Sequence, residues 1–143
     1  YLEGLGDAAE GAVIMSAWHQ DAPYKGTLAG IQMNNSDMVA AYQAKNGKLP
    51  DEDIVITFAL CQGIDQAVRA TGSVDNDVII KWLRARTAQD PVRTVMGAFN
   101  WDEYGLPIGK SFLMVQWQGG ELKFIYPTNE FKTTPMISPK PKW

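Results

Sequence analysis

Cysteine and histidine are almost absent from this chain. Its 143 residues include one cysteine, Cys61, and one histidine, His19. One cysteine cannot form an internal disulfide, and one histidine cannot build a multi-histidine metal site. Zinc fingers, CxxC redox motifs and HExxH metalloprotease motifs are therefore excluded, and we expect no metal site. A lone thiol is compatible with a reducing or an oxidising compartment.

A surplus of positive charge is also missing. The chain has 13 lysines and arginines against 16 aspartates and glutamates, for a net charge of −3. Because neutralisation of phosphates supplies most nucleic-acid affinity, this balance argues against DNA or RNA as a partner. No apolar run approaches the ~20 residues that span a bilayer. The sequence begins at Tyr1 without a methionine or a leader, so we expect that processing or truncation removed its natural start.

What is present is the composition of a globular domain, with 45% hydrophobic and 20% charged residues. The apolar run at residues 11–18 follows a polar lead and predicts a buried strand. Between His19 and Asn35, one proline and two glycines interrupt any pattern. We therefore expect a loop there with one short helical turn.

Helical periodicity dominates the middle of the chain. Asn35 or Ser36 can cap a helix over residues 37–45, which Gly47 ends. The strongest helix begins with the carboxylates of residues 51–53, and Gly72 closes it. Spacing by three and four predicts its apolar stripe at Ile54, Phe58, Cys61, Ile64 and Val68, and its solvent side at Gln62, Gln66 and Arg69.

A further helix and a β region follow. The helix starts at residues 73–75 and should pack against the preceding one, because a four-residue turn joins the two. Its predicted apolar face contains Val78, Ile79, Trp82 and Leu83. Residues 92–101 read as extended, residues 102–105 as a turn and residues 111–126 as a hairpin. The proline-rich tail beyond Pro127 should run along the surface.

Isolated residues offer weak candidates for chemistry. Residues 4–9 match the GxGxxA form of the dinucleotide fingerprint, but no strand precedes them, so we favour an ordinary loop. His19 follows the first strand at an end where ligands collect in open α/β sheets, although we favour a solvent-facing side chain. Cys61 lies on the predicted apolar face and is interpreted as a core thiol rather than a nucleophile.

The acidic and aromatic residues also have ordinary explanations. The helix dipole accounts for acids at 51–53, and turn formation accounts for Asp102 and Glu103. Trp82, Trp101 and Trp117 fit a core, with a binding surface as the alternative. No nucleophile, base and oxyanion site come together, so the residues favour a binding protein over an enzyme, and no cofactor is expected.

Several segments, in the right order, resemble one family. Residues 9–15 (AEGAVIM) resemble the family's strand "aEGlvvt", residues 58–73 resemble its helix "aYdAl…aiekAGS" with Phe58 in place of tyrosine, and residues 77–83 resemble the next helix. The most specific segment is TVMGAFNWDEYG at 94–105, which is similar to the turn "t.mG.l.wde.G" that precedes a hairpin "vfqwq.G". Over residues 9–127 the chain thus resembles the type I periplasmic solute-binding proteins of ABC transporters, of the leucine/isoleucine/valine-binding type.

The resemblance implies an α/β fold, namely the C-terminal part of a two-lobed type I periplasmic-binding-protein fold with three-layer α/β/α lobes. It implies that residues 1–18 are a strand segment of the C-terminal lobe and residues 19–110 a helical segment of the N-terminal lobe. Residues 111–127 would be a hairpin that returns to the C-terminal lobe, and residues 128–143 a surface tail. Because family members are more than twice as long, we expect a fragment that is completed by a missing N-terminal part or by a swapped copy.

For function, the resemblance implies a substrate-binding component of an ABC importer, which captures an amino acid or a similar small polar solute by lobe closure. Its partners would be that solute and the transporter's membrane subunits, at the periplasmic or extracellular face of the cytoplasmic membrane. The family's ligand contacts fall near Trp18 and His19 and near Asp53 and Ile54. An anionic Asp53 would favour a cationic or amino-bearing solute. The alternative is a ligand-sensing regulatory module of the same fold, coupled to a signalling partner.

Overall fold

A computed structural model describes residues 2–110, 112–129 and 131–141. Ser111, where the predicted hairpin begins, lies outside the described residues, as do three positions of the predicted tail, Glu130, Lys142 and Trp143. In chain order the elements are α1 (Leu2–Leu5), a 3-10 turn (Gly6–Ala9), β1 (Val13–Ser16), β2 (Thr27–Leu28), β3 (Ile31–Gln32), α2 (Asn35–Asn46), α3 (Glu52–Thr71), α4 (Asn76–Arg84), β4 (Val92–Thr94), β5 (Gly97–Phe99), β6 (Leu113–Gln118) and β7 (Glu121–Tyr126).

The described residues divide into two compact units. Unit 1 comprises the described residues within Tyr1–His19 and Phe112–Trp143, and unit 2 comprises the described residues within Gln20–Ser111. Unit 1 contains α1, the 3-10 turn, β1, β6 and β7, whereas unit 2 contains the three longer helices and four short strands. The chain therefore leaves unit 1 after its first strand and returns to it for the final hairpin.

Unit 1 is built on an antiparallel sheet in the order β1-β6-β7. Gly119 and Gly120 both have positive φ, 61° and 82°, and form the turn between β6 and β7. Two successive residues of this kind match the right-handed twist of a hairpin, so the predicted hairpin and its turn are confirmed for the described residues. The buried side chains of this hairpin are Leu113, Val115, Gln116, Phe124 and Ile125.

The first strand forms where it was predicted, but the prediction that it is buried is wrong. Residues 13–16 do form β1, but Val13, Ile14 and Met15 are 41%, 37% and 62% exposed. The sheet order places β1 at an edge, where it is hydrogen-bonded to β6 on one side. An apolar run is buried only where another layer covers it, and composition does not show whether that layer is present.

The tail of unit 1 is held by a backbone bond from the Thr134 N–H to the Phe124 carbonyl, at 2.7 Å, and by side chains, of which Gln116 makes the most bonds. Gln116, which is 1% exposed, donates from Nε2 to the Ile137 carbonyl and accepts from the Ile137 N–H, at 3.0 and 2.8 Å. Its Nε2 also donates to the Gly11 carbonyl at 3.0 Å. One amide therefore ties the tail and the residues before β1 to the middle of the sheet.

In unit 2, the segment predicted as a loop with a helical turn contains a small hairpin. β2 and β3 pair through Thr27 with Gln32 and Leu28 with Ile31. Ala29 and Gly30, at φ 55° and 77°, form the turn between them. The expectation of a helical turn is wrong, because two successive residues in the left-handed conformation form a hairpin turn rather than a helical turn.

The three longer helices begin and end almost where the capping signals predict. Gly47 and Gly72 end α2 and α3 in the left-handed conformation. Asp51 Oδ1 accepts from the Ile54 N–H at 3.1 Å, and Asp75 Oδ1 caps α4 through the N–H groups of residues 77 and 78. The N-cap of α2 is Asn34 rather than Asn35 or Ser36, because the backbone of Asn34 is extended and the helix begins at Asn35. The Asn34 N–H donates to the Asp37 carboxylate at 2.9 Å.

Helix α3 buries a different face from the predicted one. Its buried residues are Val55, Ala59, Gln62 and Ala67, while Cys61 is exposed and Ile64 is 54% exposed. Gln62 was assigned to the solvent side and is 0% exposed. Its Nε2 donates to the Met33 carbonyl at 3.0 Å, and its Oε1 accepts from the Val95 N–H at 2.7 Å. The Met33 carbonyl and the Val95 N–H need hydrogen-bond partners when they are buried, and Gln62 supplies them from the buried face of the helix.

Gln66, which was assigned to the solvent side and is half-buried, bonds to a neighbouring backbone segment in the same way one turn later. It donates to the Arg93 carbonyl at 2.8 Å and accepts from the Arg93 N–H at 3.2 Å. Residues 92–101 form not one extended segment but the tight hairpin of β4 and β5. The turn at 102–105 is confirmed, since Asp102 Oδ1 accepts from the N–H groups of Tyr104 and Leu106 at 2.9 and 2.8 Å.

Helix α4 packs on α3, as the short turn predicts, but it has no buried residue. The expected core role of the tryptophans is also only partly met, because Trp82, Trp101 and Trp117 are each half-buried. The Arg86 guanidinium lies 4.0 Å from the centroid of the Trp82 ring, and Trp101 stacks on Phe99 at 6.3 Å. Trp82 therefore makes a cation–π contact and Trp101 a ring-stacking contact in addition to being half-buried.

Candidate functional site

Trp18 and His19 follow β1 in unit 1 and are both buried, each at 7% exposure. The His19 ring stacks on Phe124 with 5.5 Å between centroids, and its Nε2 lies 3.2 Å from the Leu122 carbonyl oxygen. The expectation of a solvent-facing His19 is therefore wrong. Since an imidazole N–H that faces a carbonyl is a donor, the neutral ring would carry its proton on Nε2. Within unit 1 these two residues offer little surface to a solute.

Asp53 and Ile54 lie in the first turn of α3 in unit 2. Asp53 is exposed, and its backbone carbonyl accepts from the Thr57 hydroxyl at 3.0 Å. Ile54 is half-buried and is held by its N–H bond to the Asp51 carboxylate. The two side chains therefore differ in what they offer, since Asp53 presents charge to solvent and Ile54 presents apolar surface.

Ile54 lines a hollow of about 360 Å³ in unit 2. The other lining residues are Met33, Met38, Ala41, Tyr42, Lys45, Asn46 and Phe58. Two methionines, a tyrosine and a phenylalanine make an adaptable apolar wall, because thioethers have flexible side chains and pack well against rings. Lys45 adds a cation to this wall. The hollow can therefore enclose an apolar group of a small molecule that also carries charge.

Unit 2 also contains a more apolar groove of about 320 Å³ between α3, α4 and the β4–β5 hairpin. Leu60 and Ile64 line it and are 63% and 54% exposed. The groove offers no convergent polar groups that would orient a ligand. Cys61, whose thiol was interpreted as part of a core, is on the same helix and is exposed.

The four predicted ligand residues are divided between the two units, two in each. Trp18 and His19 belong to unit 1, and Asp53 and Ile54 belong to unit 2. Their role in binding stays a prediction. One unusual group escaped the sequence analysis, namely Lys110, which contacts Tyr24, Met96 and Phe99. No local pattern could have found it, because its surroundings come from distant parts of unit 2.

In the part of the chain that the structure describes, no group of three or more histidine, cysteine, aspartate or glutamate residues could hold a metal ion. Among the same residues, no helix combines the length and the apolar character that crossing a membrane requires. Residues 4–9, which match a dinucleotide fingerprint, form α1 and the 3-10 turn, a helical rather than a loop conformation.

Comparisons with known proteins point in one direction. No protein-family model matches the chain. Leu/Ile/Val-binding protein homolog 1 of Brucella abortus (strain 2308) is 29% identical over 86 residues, which are 60% of this chain and 22% of that protein. The protein of the same name from Brucella suis biovar 1 is 28% identical over 87 residues, or 61% of this chain and 22% of that protein.

Among solved structures, the chain is similar to a leucine-binding protein, LivK, from Thermotoga maritima. The TM-score is 0.65 at 23% identity, and the match covers 87% of this chain and 33% of that one. The fold is therefore the α/β fold of a type I periplasmic-binding protein, of which the chain has a part. The resemblance to proteins of the Leu/Ile/Val-binding type, which the motifs at residues 9–127 predicted, is confirmed. The matched part is 22% of the length of the curated relatives.

Proposed function

We propose that this chain is part of a solute-binding protein that captures an amino acid or a similar small polar solute and delivers it to an ABC importer. The observation that carries the proposal is the similarity to Leu/Ile/Val-binding protein homologs over 60% of the chain. The fold of a leucine-binding protein supports the same assignment. The relatives' names describe binding and no reaction, so the proposal includes no catalysis and no cofactor.

In this proposal, unit 1 belongs to the C-terminal lobe and unit 2 to the N-terminal lobe of a two-lobed protein at the periplasmic or extracellular face of the membrane. Its support is the division of the chain into compact units after His19 and before Phe112. The remainder of each lobe would come from a missing N-terminal part or from a swapped copy. Solute binding would favour the closed arrangement of the lobes, which the membrane subunits would recognise.

The two predicted contacts in unit 2 have complementary roles in the proposal. Asp53 presents an exposed carboxylate, which would pair with the amino group of a solute. Ile54 belongs to the wall of the 360 Å³ hollow, which would receive an apolar side chain. Trp18 and His19 have little exposed surface within unit 1, so in this proposal they add at most a small contact area and Asp53 and Ile54 carry most of the recognition. This combination favours an amino acid with an apolar side chain over a purely anionic solute.

The test is thermal unfolding of the full-length polypeptide that contains this chain, with a panel of amino acids and small carboxylates. A true solute at a hundred times its Kd should raise the free energy of unfolding by about 2.7 kcal/mol. Asp53→Asn should weaken the binding of amino-bearing solutes, whereas Glu103→Gln, at an exposed acid in a turn of unit 2, should not. If no amino acid and no small carboxylate of the panel stabilises the protein, the proposal is contradicted. A solute that binds without stimulating the reconstituted transporter would favour a sensory module instead.

A further inference from the structure

The hollow beside Ile54 in unit 2 has walls of a distinct chemistry. Among the described residues that line it, Met33 and Met38 carry thioethers, and Tyr42 and Phe58 carry aromatic rings. Met38 is buried and the other three are half-buried. Ile54 is the one large aliphatic side chain among the described lining residues. The walls are therefore formed mainly by thioethers and rings rather than by branched hydrocarbon.

Helices α2 and α3 build these walls with the same spacing. Met38 and Tyr42 lie four residues apart on α2, and Ile54 and Phe58 lie four residues apart on α3. Residues at that spacing share one face of a helix, so each helix presents an apolar side chain and then a ring to the hollow. The two rings therefore come together through the packing of separate helices.

These groups interact with an aromatic ring in ways that an aliphatic side chain does not share. Paired rings attract each other beyond the burial of their surface. A thioether makes favourable contacts with the edge of a ring and adapts its shape to it. Lys45, an exposed cation of the same wall, can attract the face of a ring. A leucine, isoleucine or valine side chain in the hollow gains burial alone.

The hollow also has the size for a ring. Its volume is about 360 Å³. An apolar cavity of about 150 Å³ already accommodates benzene, and pockets for complete small molecules begin at about 300 Å³. The hollow can therefore hold a phenyl or an indole ring.

We propose that the hollow takes the ring of an aromatic amino acid, so that the solute is an aromatic amino acid rather than leucine, isoleucine or valine. The inference rests on the proposed function and narrows its solute to one class. Asp53, which precedes Ile54 at the start of α3, presents an exposed carboxylate that would pair with the amino group. The names of the relatives refer to leucine, isoleucine and valine, so the expected preference differs from those names.

The experiment is isothermal titration calorimetry of the full-length polypeptide that contains this chain. The ligands are phenylalanine, tyrosine, tryptophan, leucine, isoleucine and valine, together with small carboxylates. We expect the best aromatic amino acid to bind on the order of tenfold more tightly than leucine, because ring and thioether contacts add to ordinary burial. Leucine, isoleucine or valine binding as tightly as the best aromatic amino acid would overturn this inference and leave the proposed function intact. If no amino acid and no carboxylate binds, the proposed function itself fails.

Variants test whether the hollow is the cause of the preference. Phe58→Leu removes the ring on α3 and should lower the ratio of leucine Kd to phenylalanine Kd several-fold, and Tyr42→Leu should act in the same direction. Phe99→Leu is the matched control, because it makes the same replacement in the other groove of unit 2 and should leave the ratio unchanged. Circular dichroism checks the folding of each variant, and a ratio of two Kd values is insensitive to a partly unfolded sample. An unchanged ratio in both Phe58→Leu and Tyr42→Leu would show that the ring binds elsewhere and would overturn the inference.

Discussion

The two units bury their apolar residues differently. In unit 1 the hairpin places Leu113, Val115 and Phe124 at 0%, 1% and 3% exposure. In unit 2 the longest helix exposes Leu60 and Ile64 at 63% and 54%. Unit 1 thus has a hairpin with a covered face, whereas unit 2 has a long helix on which large apolar side chains are exposed. The comparison shows that the apolar stripe of a helix marks what could be covered rather than what is covered.

The units also share a device. In each, a glutamine with essentially no exposure bonds to backbone groups of segments outside the strands, Gln116 in unit 1 and Gln62 in unit 2. An amide side chain offers a donor and an acceptor, so it can replace a backbone partner on both sides. Both units therefore rely on a few side-chain bonds where regular secondary structure ends.

The largest expected effect distinguishes the two apolar surfaces. Leu113→Ala in unit 1 removes a fully buried side chain and should lower the free energy of unfolding by about 3 kcal/mol. Leu60→Ala on the open face of α3 should cost less than about 0.5 kcal/mol. Urea unfolding monitored by tryptophan fluorescence measures both. A large loss for Leu60→Ala would mean that this face of α3 is covered in solution.

The next effect tests the two glutamines. Gln62→Leu leaves the Met33 carbonyl and the Val95 N–H unpaired and should cost about 2 kcal/mol. Gln116→Leu should cost a similar amount and also release the tail, which limited proteolysis around residues 131–141 would report. Gln118→Leu is the matched control in unit 1, because it loses the bonds to the Pro135 carbonyl and to Gln116 Oε1 but leaves both bonds between Gln116 and Ile137 in place. Equal protease resistance of both variants would contradict the role given to Gln116.

A smaller effect concerns the buried amine of unit 2. Burial lowers the pKa of Lys110 from its ordinary value of 10.5 to about 8 in the folded chain. Between pH 8 and pH 10.5 the amine is therefore mostly neutral in the folded chain and mostly protonated in the unfolded chain. Its contribution to stability therefore rises with pH across this window, with a slope of at most about 1.4 kcal/mol per pH unit. Lys110→Met should remove that slope, and Lys81→Met at an exposed position should not. Identical pH profiles for Lys110→Met and the unchanged chain would contradict the shift.

The smallest effect isolates local structure in unit 2. Asp51→Ala removes the N-cap bond to the Ile54 N–H and should cost about 1 kcal/mol, whereas Asp51→Asn should keep most of it. Urea unfolding compares the two variants. If Asp51→Asn is as destabilising as Asp51→Ala, the charge of Asp51 acting on the helix dipole matters more than the bond itself.

Local signals predicted the ends of elements well. Asp51, Asp75, Gly47 and Gly72 stand where caps need them, and the pair Gly119 and Gly120 turns the final hairpin. These features depend on neighbours within four residues, so they can be read along the chain. The motif at residues 94–105 added the family resemblance, which no periodicity could have supplied.

Burial was predicted less well, because it depends on distant partners. Gln62 looked like a solvent residue and is buried by the Met33 and Val95 backbone, 29 and 33 residues away. Cys61 looked like a core thiol and is exposed, and His19 looked solvent-facing and stacks on Phe124. For the candidate site, the sequence placed Asp53 and Ile54 on α3, but the hollow beside Ile54 required α2.

The sequence by itself determined most of the helix limits, the final hairpin and the resemblance to Leu/Ile/Val-binding proteins, because caps, turns and motifs act over short stretches of chain. Only the tertiary structure decided which face of α3 is buried, how Gln116 holds the tail and why Lys110 has a lowered pKa. Each of these depends on groups brought together from separate segments, where burial, unpaired backbone groups and aromatic rings act across space rather than along the chain.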